Sequence, residues 1–255
     1  MREEPFIGGN FSDATRVGDT VRRRSGPWTP AVHALLRFLE RAGFEAPRTR
    51  GIDDQRREIL GYVEGDAHTG WPDPAPEWLM DDEHLIQGAE LLRRYHDTVA
   101  AFIPPRDAAW RFVAPGPHDI ICHNDWAPWN AVFRDRHLAV MLDWDNAGPG
   151  TRLWDLANSA YSWVPLYARS AADLEPTERA RRLRLYCDAY GLVDRTGVLP
   201  MIRERLLFGA GFIELEAGRG DPGFQKLFGW NVPARLRQNV ADLAEDRDLY
   251  ESALI

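Results

Sequence analysis

In the stretch "CHNDWAPWNAVFRDRHLAVMLDWDNAGPG", His123, Asp125 and Asn130 fall within eight residues, and Asp143 and Asp145 follow an apolar run. Carboxylates and an amide at this spacing offer hard oxygen ligands for a divalent cation, and one carboxylate able to take a proton from a hydroxyl. The pattern is His-x-Asp-x4-Asn followed by an aspartate at the end of the next hydrophobic strand, the spacing used for phosphoryl transfer from a nucleotide. Phosphates carry several negative charges, so a hard cation such as Mg²⁺ must bridge them, and Asn130 and Asp143 provide its ligands. The acceptor hydroxyl must be aimed and deprotonated, for which Asp125 is placed. His123 is a second catalytic candidate, set against a packing role in which it hydrogen-bonds the loop. Asp145 stands between a second metal contact and a role in holding the "DWDNAGPG" turn.

Taken singly these residues say little. A lone His-x-Asp reads as a surface turn and a lone Asp143 as a strand-terminal cap; their conjunction at this spacing carries the inference. The flanking runs "DII", "NAVF" and "LAVML" read as short strands with "RDR" as a turn, so the polar groups fall at strand ends and in a loop on a fixed backbone.

The first 65 residues supply more strands and one helix. "ATRV" and "TVRRR" flank Gly18-Asp19, which predicts a tight hairpin. From Thr29, with Pro30 in the first turn, Val32, Leu35, Leu36 and Leu39 share one face of a helix ending near Gly43. "RTRGI" and "REILGYVEG" are two further strands. The proline-rich "WPDPAPEW" predicts a loop at a lobe boundary. Beyond it Leu85, Ala89, Leu92, His96 and Val99 recur at helical spacing, and further helices are expected near 153–169, 177–190, 200–217 and 233–251. The division is 1–65 for a small strand-rich lobe and 66–255 for a larger helical one, an α+β chain.

With 255 residues, 44% of them hydrophobic, a sizeable core is available. No apolar run approaches a membrane span and "MREEPF" lacks a signal peptide's apolar centre, so a cytoplasmic protein without a membrane partner is expected. Cys122 and Cys187 have neither metal spacing nor a disulfide framework and read as reduced, packed thiols. Net charge is −8. The first 60 residues hold 11 arginines and 9 acids, whereas the rest hold 20 basic and 30 acidic residues, which argues against a nucleic-acid partner and for a neutral or cationic small molecule.

At its central motifs the chain resembles the aminoglycoside phosphotransferase and choline kinase-like family, which shares the protein-kinase fold. "HNDWAPWN" is similar to that family's catalytic loop, "LDWDNAGPG" to its metal-binding segment and "RLWDLA" to the helix start that follows, within a resemblance covering roughly 8–250. It implies a small antiparallel-sheet N-lobe that binds ATP or GTP and a mainly helical C-lobe for catalysis and acceptor. It also implies Asp125 as base, Asn130 and Asp143 as Mg²⁺ ligands and Asp155 as a structural brace. Gly8, Gly9 and Asn10 would cover the nucleotide, and the backbone from Leu60 through Tyr62 to Val63 would meet the adenine edge.

Two departures from the family stand out. The strand lysine that holds the phosphates is absent, and "TVRRR" offers only arginines. Alternation puts Val21 and Arg23 on one face, which nominates Arg23 for the phosphates. In helix 29–42 the partner glutamate is replaced by Val32 and His33, with Glu40 near the far end. Two functions compete: a small-molecule kinase acting on a hydroxyl, and a non-catalytic ligand-binding or immunity-type protein of the same fold. Trp126, Trp129, Trp144, Trp154, Trp163 and Trp230 are either core or stacking platforms. Glu214, Glu216 and Asp221 either face a cationic acceptor or form a solvated helix face.

Overall fold

The protein is described from a computed structural model covering residues 3–5, 14–68, 76–167 and 174–255. Gly8, Gly9 and Asn10 lie outside these residues, as does most of the proline-rich segment. The chain divides into two compact units, Met1–Pro76 with Arg94–Arg152, and Glu77–Arg93 with Leu153–Ile255.

The first unit holds the sheets. Strands β1 (Glu4–Pro5), β2 (Thr15–Val17), β3 (Thr20–Arg24), β4 (Thr49–Ile52) and β5 (Arg57–Gly61) form one antiparallel sheet in the order β1-β2-β3-β5-β4. Gly18, at φ 62°, turns the β2–β3 hairpin as the sequence predicts, because glycine alone carries no steric cost there. Helix α1 (Thr29–Arg41) starts with Pro30 in its first turn and buries Val32, Leu35, Leu36 and Leu39. Each of these aliphatic side chains contributes about 1.5–3 kcal/mol by leaving water. The helix closes on Gly43 at φ 74°, with the Phe44 amide donating back to the Leu39 carbonyl over 2.9 Å.

Farther along, β6 (Asp66–Ala67), β8 (Ala131–Arg134) and β9 (His137–Met141) form a second sheet, while β7 (Ile120–Cys122) pairs with β10 (Gly148–Gly150). The β8–β9 hairpin turns at Asp135 and Arg136, whose φ values of 50° and 63° suit a two-residue turn that follows the strand twist.

The second unit is helical. Helix α2 (Asp82–Val99) begins in it, followed by α3 (Arg152–Trp163), α4 (Pro176–Tyr190), α5 (Val198–Gly218), α6 (Pro222–Gly229), α7 (Val232–Glu245) and α8 (Arg247–Leu254). Leu85, Ala89 and Leu92 are buried here at the predicted helical spacing. Three expectations change. The helix expected to reach 169 ends at Trp163, since Pro165 disfavours helical backbone before it. The helix expected over 233–251 is two, with Asp246 at φ −97° between them so that α8 turns Tyr250 and Leu254 inward. Helix α6 was not foreseen, although Asp221 caps it through the Gly223 and Phe224 amides and Pro222 opens it. No helix among the described residues is long and apolar enough to cross a membrane.

Candidate active site

The segment between β7 and β8 contains Asn124 in left-handed conformation, φ 66°, and a 3₁₀ turn over Pro128–Asn130. His123 is fully buried. Its Nε2 lies 2.9 Å from the Leu142 carbonyl and its Nδ1 3.2 Å from the Asp125 amide. A carbonyl can only accept and an amide N–H only donate, so the ring is neutral with its proton on Nε2. Its ring meets Trp144 at a tilt, 4.6 Å between centroids, and Trp126 edge-on at 6.1 Å. His123 thus hydrogen-bonds the backbone on both sides through its two nitrogens.

Asn130 donates from Nδ2 to the Asp125 carbonyl over 2.7 Å, and its own carbonyl accepts the Leu142 amide at 2.8 Å. The loop and the strand leading to Asp143 are therefore bonded together at their roots. With Nδ2 committed, Oδ1 is the atom Asn130 has to offer a cation. Asp125 is partly buried, and its Oδ2 accepts from Asn146 Nδ2 at 3.4 Å. Asn146 is held in turn by Asn124 Nδ2, which donates to its carbonyl over 3.0 Å. Asn146 was not singled out from the sequence, where its neighbour Asp145 drew attention. Gly148 completes the frame: a Cβ there would stand 1.8 Å from the Phe112 carbonyl oxygen.

Asp143 adopts φ 57°, ψ 71°. Such strain in a non-glycine residue is held by surrounding packing, here the buried Trp144 whose Nε1 donates to the Met141 carbonyl at 3.1 Å. Arg23 reaches both aspartates, from Nη1 to Asp143 Oδ1 at 2.8 Å and from Nη2 to Asp145 Oδ1 at 2.7 Å. Its Nε donates to Glu58, which lies directly across the β3–β5 ladder. The other Glu58 oxygen meets His33 Nε2 at 3.1 Å.

An arginine–carboxylate pair therefore stands at this place, its carboxylate supplied by the neighbouring strand, with a histidine from the helix behind it. Glu40 instead pairs with Arg48 at the far end of α1. Burial alone raises the Glu58 carboxyl, but Arg23 and His33 outweigh it and hold the group below the ordinary carboxylate range. Burial pushes Asp145 up to about 6, with Asp143 and Glu58 adding to the rise and Arg23 opposing it. Arg23 is itself desolvated, yet the surrounding carboxylates, Asp145 foremost, raise its pKa.

Tyr62 and Val63 follow directly on β5. The Tyr62 amide donates to the Asp19 carbonyl at 2.8 Å and its ring lies 3.7 Å under the Arg16 guanidinium, so Tyr62 is tied to the β2–β3 turn. In the helical unit, Glu214 pairs with Arg237, Glu216 with Arg219, and Asp221 caps α6. Trp126, Trp144, Trp154 and Trp163 are core, whereas Trp129 and Trp230 reach the surface. Asp155 is fully buried in the first turn of α3. The oxygens of Asn130 and Asp143 match the hard-ligand preference of Mg²⁺, an ion that keeps other positions for water and phosphate. Among the described residues no group of three or more His, Cys, Asp or Glu could hold a metal by protein ligands alone.

These features define the class of protein. A profile of the phosphotransferase enzyme family matches residues 67–195, and the chain belongs to that family. Over 199 residues it is 37% identical to a trifolitoxin immunity protein of Rhizobium leguminosarum bv. trifolii, with 73% of each chain covered. Its fold is protein-kinase-like. An amicoumacin kinase solved with AMP-PNP and Ca²⁺ superposes with a TM-score of 0.66 at 10% identity, covering 93% of this chain and 87% of that one. The GDP complex of an aminoglycoside 2′-phosphotransferase-IIIa does so at 0.62 and 14%, covering 95% and 93%.

Proposed function

We propose that this chain transfers the γ-phosphoryl group of ATP or GTP to a hydroxyl of a small neutral or cationic molecule. Residues 1–65 serve the nucleotide, and 66–255 serve catalysis and the acceptor. The observation that carries this is the interlock of the loop with the following strand: Asn130 bonded to Asp125 and Leu142, with Asp143 next in the chain. Asp125, oriented through Asn146, accepts the proton of the acceptor hydroxyl at its carboxylate. Asn130 Oδ1 and the Asp143 oxygen not taken by Arg23 would hold Mg²⁺, which supplies charge neutralisation at the phosphates. Arg23 has five N–H donors, of which three face Glu58, Asp143 and Asp145, and the remaining two are the ones for phosphate oxygens. Gly8, Gly9, Asn10 and the backbone of Tyr62 and Val63 complete the nucleotide contacts in this reading, and the exposed Trp129 offers a ring for the acceptor to stack on.

A second reading, a ligand-binding immunity protein without transfer, is favoured by the identity with the trifolitoxin immunity protein and by Arg23 standing on the carboxylate that would hold the metal. The test is incubation with γ-labelled ATP and GTP against hydroxylated metabolites and antibiotics and against trifolitoxin. Label in a product, lost in Asp125→Asn, supports the kinase. A ligand bound tightly with no label transferred from either nucleotide supports the binder.

A further inference from the structure

The Arg23 guanidinium is surrounded by Glu58, Asp143 and Asp145, and its side chain is only 9% exposed. It cannot retreat. Glu58 holds it from the side of the sheet, directly across the ladder, and His33 holds Glu58 from the helix. Nor can it lose its charge, since an arginine stays protonated in proteins. Kinase-type sites use two Mg²⁺, held by the metal aspartate and the catalytic-loop asparagine. Here the oxygens through which Asp143 and Asp145 would bridge a cation, Asp143 Oδ1 and Asp145 Oδ1, are already 2.8 and 2.7 Å from guanidinium nitrogens.

We propose that Arg23 is a resident cation occupying the place of a second divalent ion, so that nucleotide binds with one divalent cation per chain and Asp145 is the arginine's counter-ion instead of a metal ligand. The cation that remains is the one shared by Asn130 and the free oxygen of Asp143. This rests on the nucleotide-binding reading above. It extends that reading by setting the metal count and by reassigning Asp145.

The experiment counts metal ions. With the full chain in excess over AMP-PNP, Mn²⁺ is titrated and protein-bound ion followed by electron paramagnetic resonance, while calorimetry measures AMP-PNP binding separately. The parent should take up one tight equivalent of Mn²⁺ per bound nucleotide. Arg23→Met combined with Glu58→Gln, which neutralises the arginine together with its fully buried partner and leaves Asp143 and Asp145 for metal, should take up two. Should that pair fail to fold, Asp145→Asn in the natural chain decides: the count stays at one and Mn²⁺ affinity changes less than about threefold, within the effect of a contact not made to the ion. Two equivalents in the parent, or a loss of about tenfold or more in Asp145→Asn, would overturn the resident cation while leaving nucleotide binding intact. No AMP-PNP binding at all would overturn both.

Discussion

Glu58→Gln isolates the charge that holds Arg23. The amide keeps the shape and one acceptor oxygen, so packing is conserved while a buried carboxylate is neutralised. The sign follows from the pKa: because the folded state holds Glu58 below the ordinary 4.5, the ionised form is favoured by folding despite its burial, and removing it must destabilise. Replacing a hydrogen bond to a charged acceptor by a neutral one costs about 1–1.5 kcal/mol. The penalty of about 3–5 kcal/mol for stripping a buried pair is not reached, since Arg23 keeps Asp143 and Asp145. A loss of about 1–3 kcal/mol at about pH 7 is therefore expected, read by urea unfolding through tryptophan emission, with Trp126 and Trp144 buried in the same unit. A depressed carboxyl pKa gives stability that is present above the unfolded value and lost as pH falls through the folded one. The gap between parent and variant should accordingly narrow by about pH 3.5. An equal gap at both pH values, or none at about pH 7, would refute the charge as the source of the hold.

Asp125→Asn should lower kcat by about 10²–10⁴ with nucleotide affinity unchanged, measured by steady-state transfer and calorimetry. Asp143→Ala should weaken Mg²⁺-nucleotide binding by about tenfold or more and Asn130→Ala by less; identical affinities in the three proteins would remove the metal assignment. Gly148→Ala should cost about 3 kcal/mol, because the new methyl meets the Phe112 carbonyl and not a movable side chain, and a melt within two degrees of the parent would contradict the close approach. Burial pushes the Cys187 thiol up to about 12 and Cys122 is likewise buried, so a thiol reagent at about pH 8 should find neither in the native chain and both in denaturant.

What was legible in the sequence was whatever local spacing determines. The Gly18 hairpin, α1 and the polar loop between apolar strands follow from turn chemistry and periodicity. Alternation serves at the strand's end, where Arg23 is buried and Arg24 exposed, but not at its start, where Thr20 is buried and Val21 and Arg22 are both half-buried. The partner of Arg23 was not legible, because Glu58 is 35 positions away and reaches it only through the β3–β5 register. His33 was visible as an absence, the place where a glutamate was expected, and only the strand behind it shows what it supports. Asn146 escaped for a similar reason: its contact to Asp125 depends on how two loops meet. Helix α6 is eight residues long, too short for a periodic signal, and only the Asp-Pro cap marked it.

The β8–β9 hairpin works like a pair of tongs, with Asn130 at one jaw, Asp143 just beyond the other, and the grip set by the Leu142 amide on the Asn130 carbonyl. Deleting one residue within either arm would slip the ladder and turn its side chains over, separating the jaws. The handle end is different. Asp135 and Arg136 are exposed at the tip, and extra chain added between them lengthens the handle without altering the grip. That tip is therefore where an epitope or a fluorophore-binding peptide can be spliced into the chain to report on the jaws from a distance.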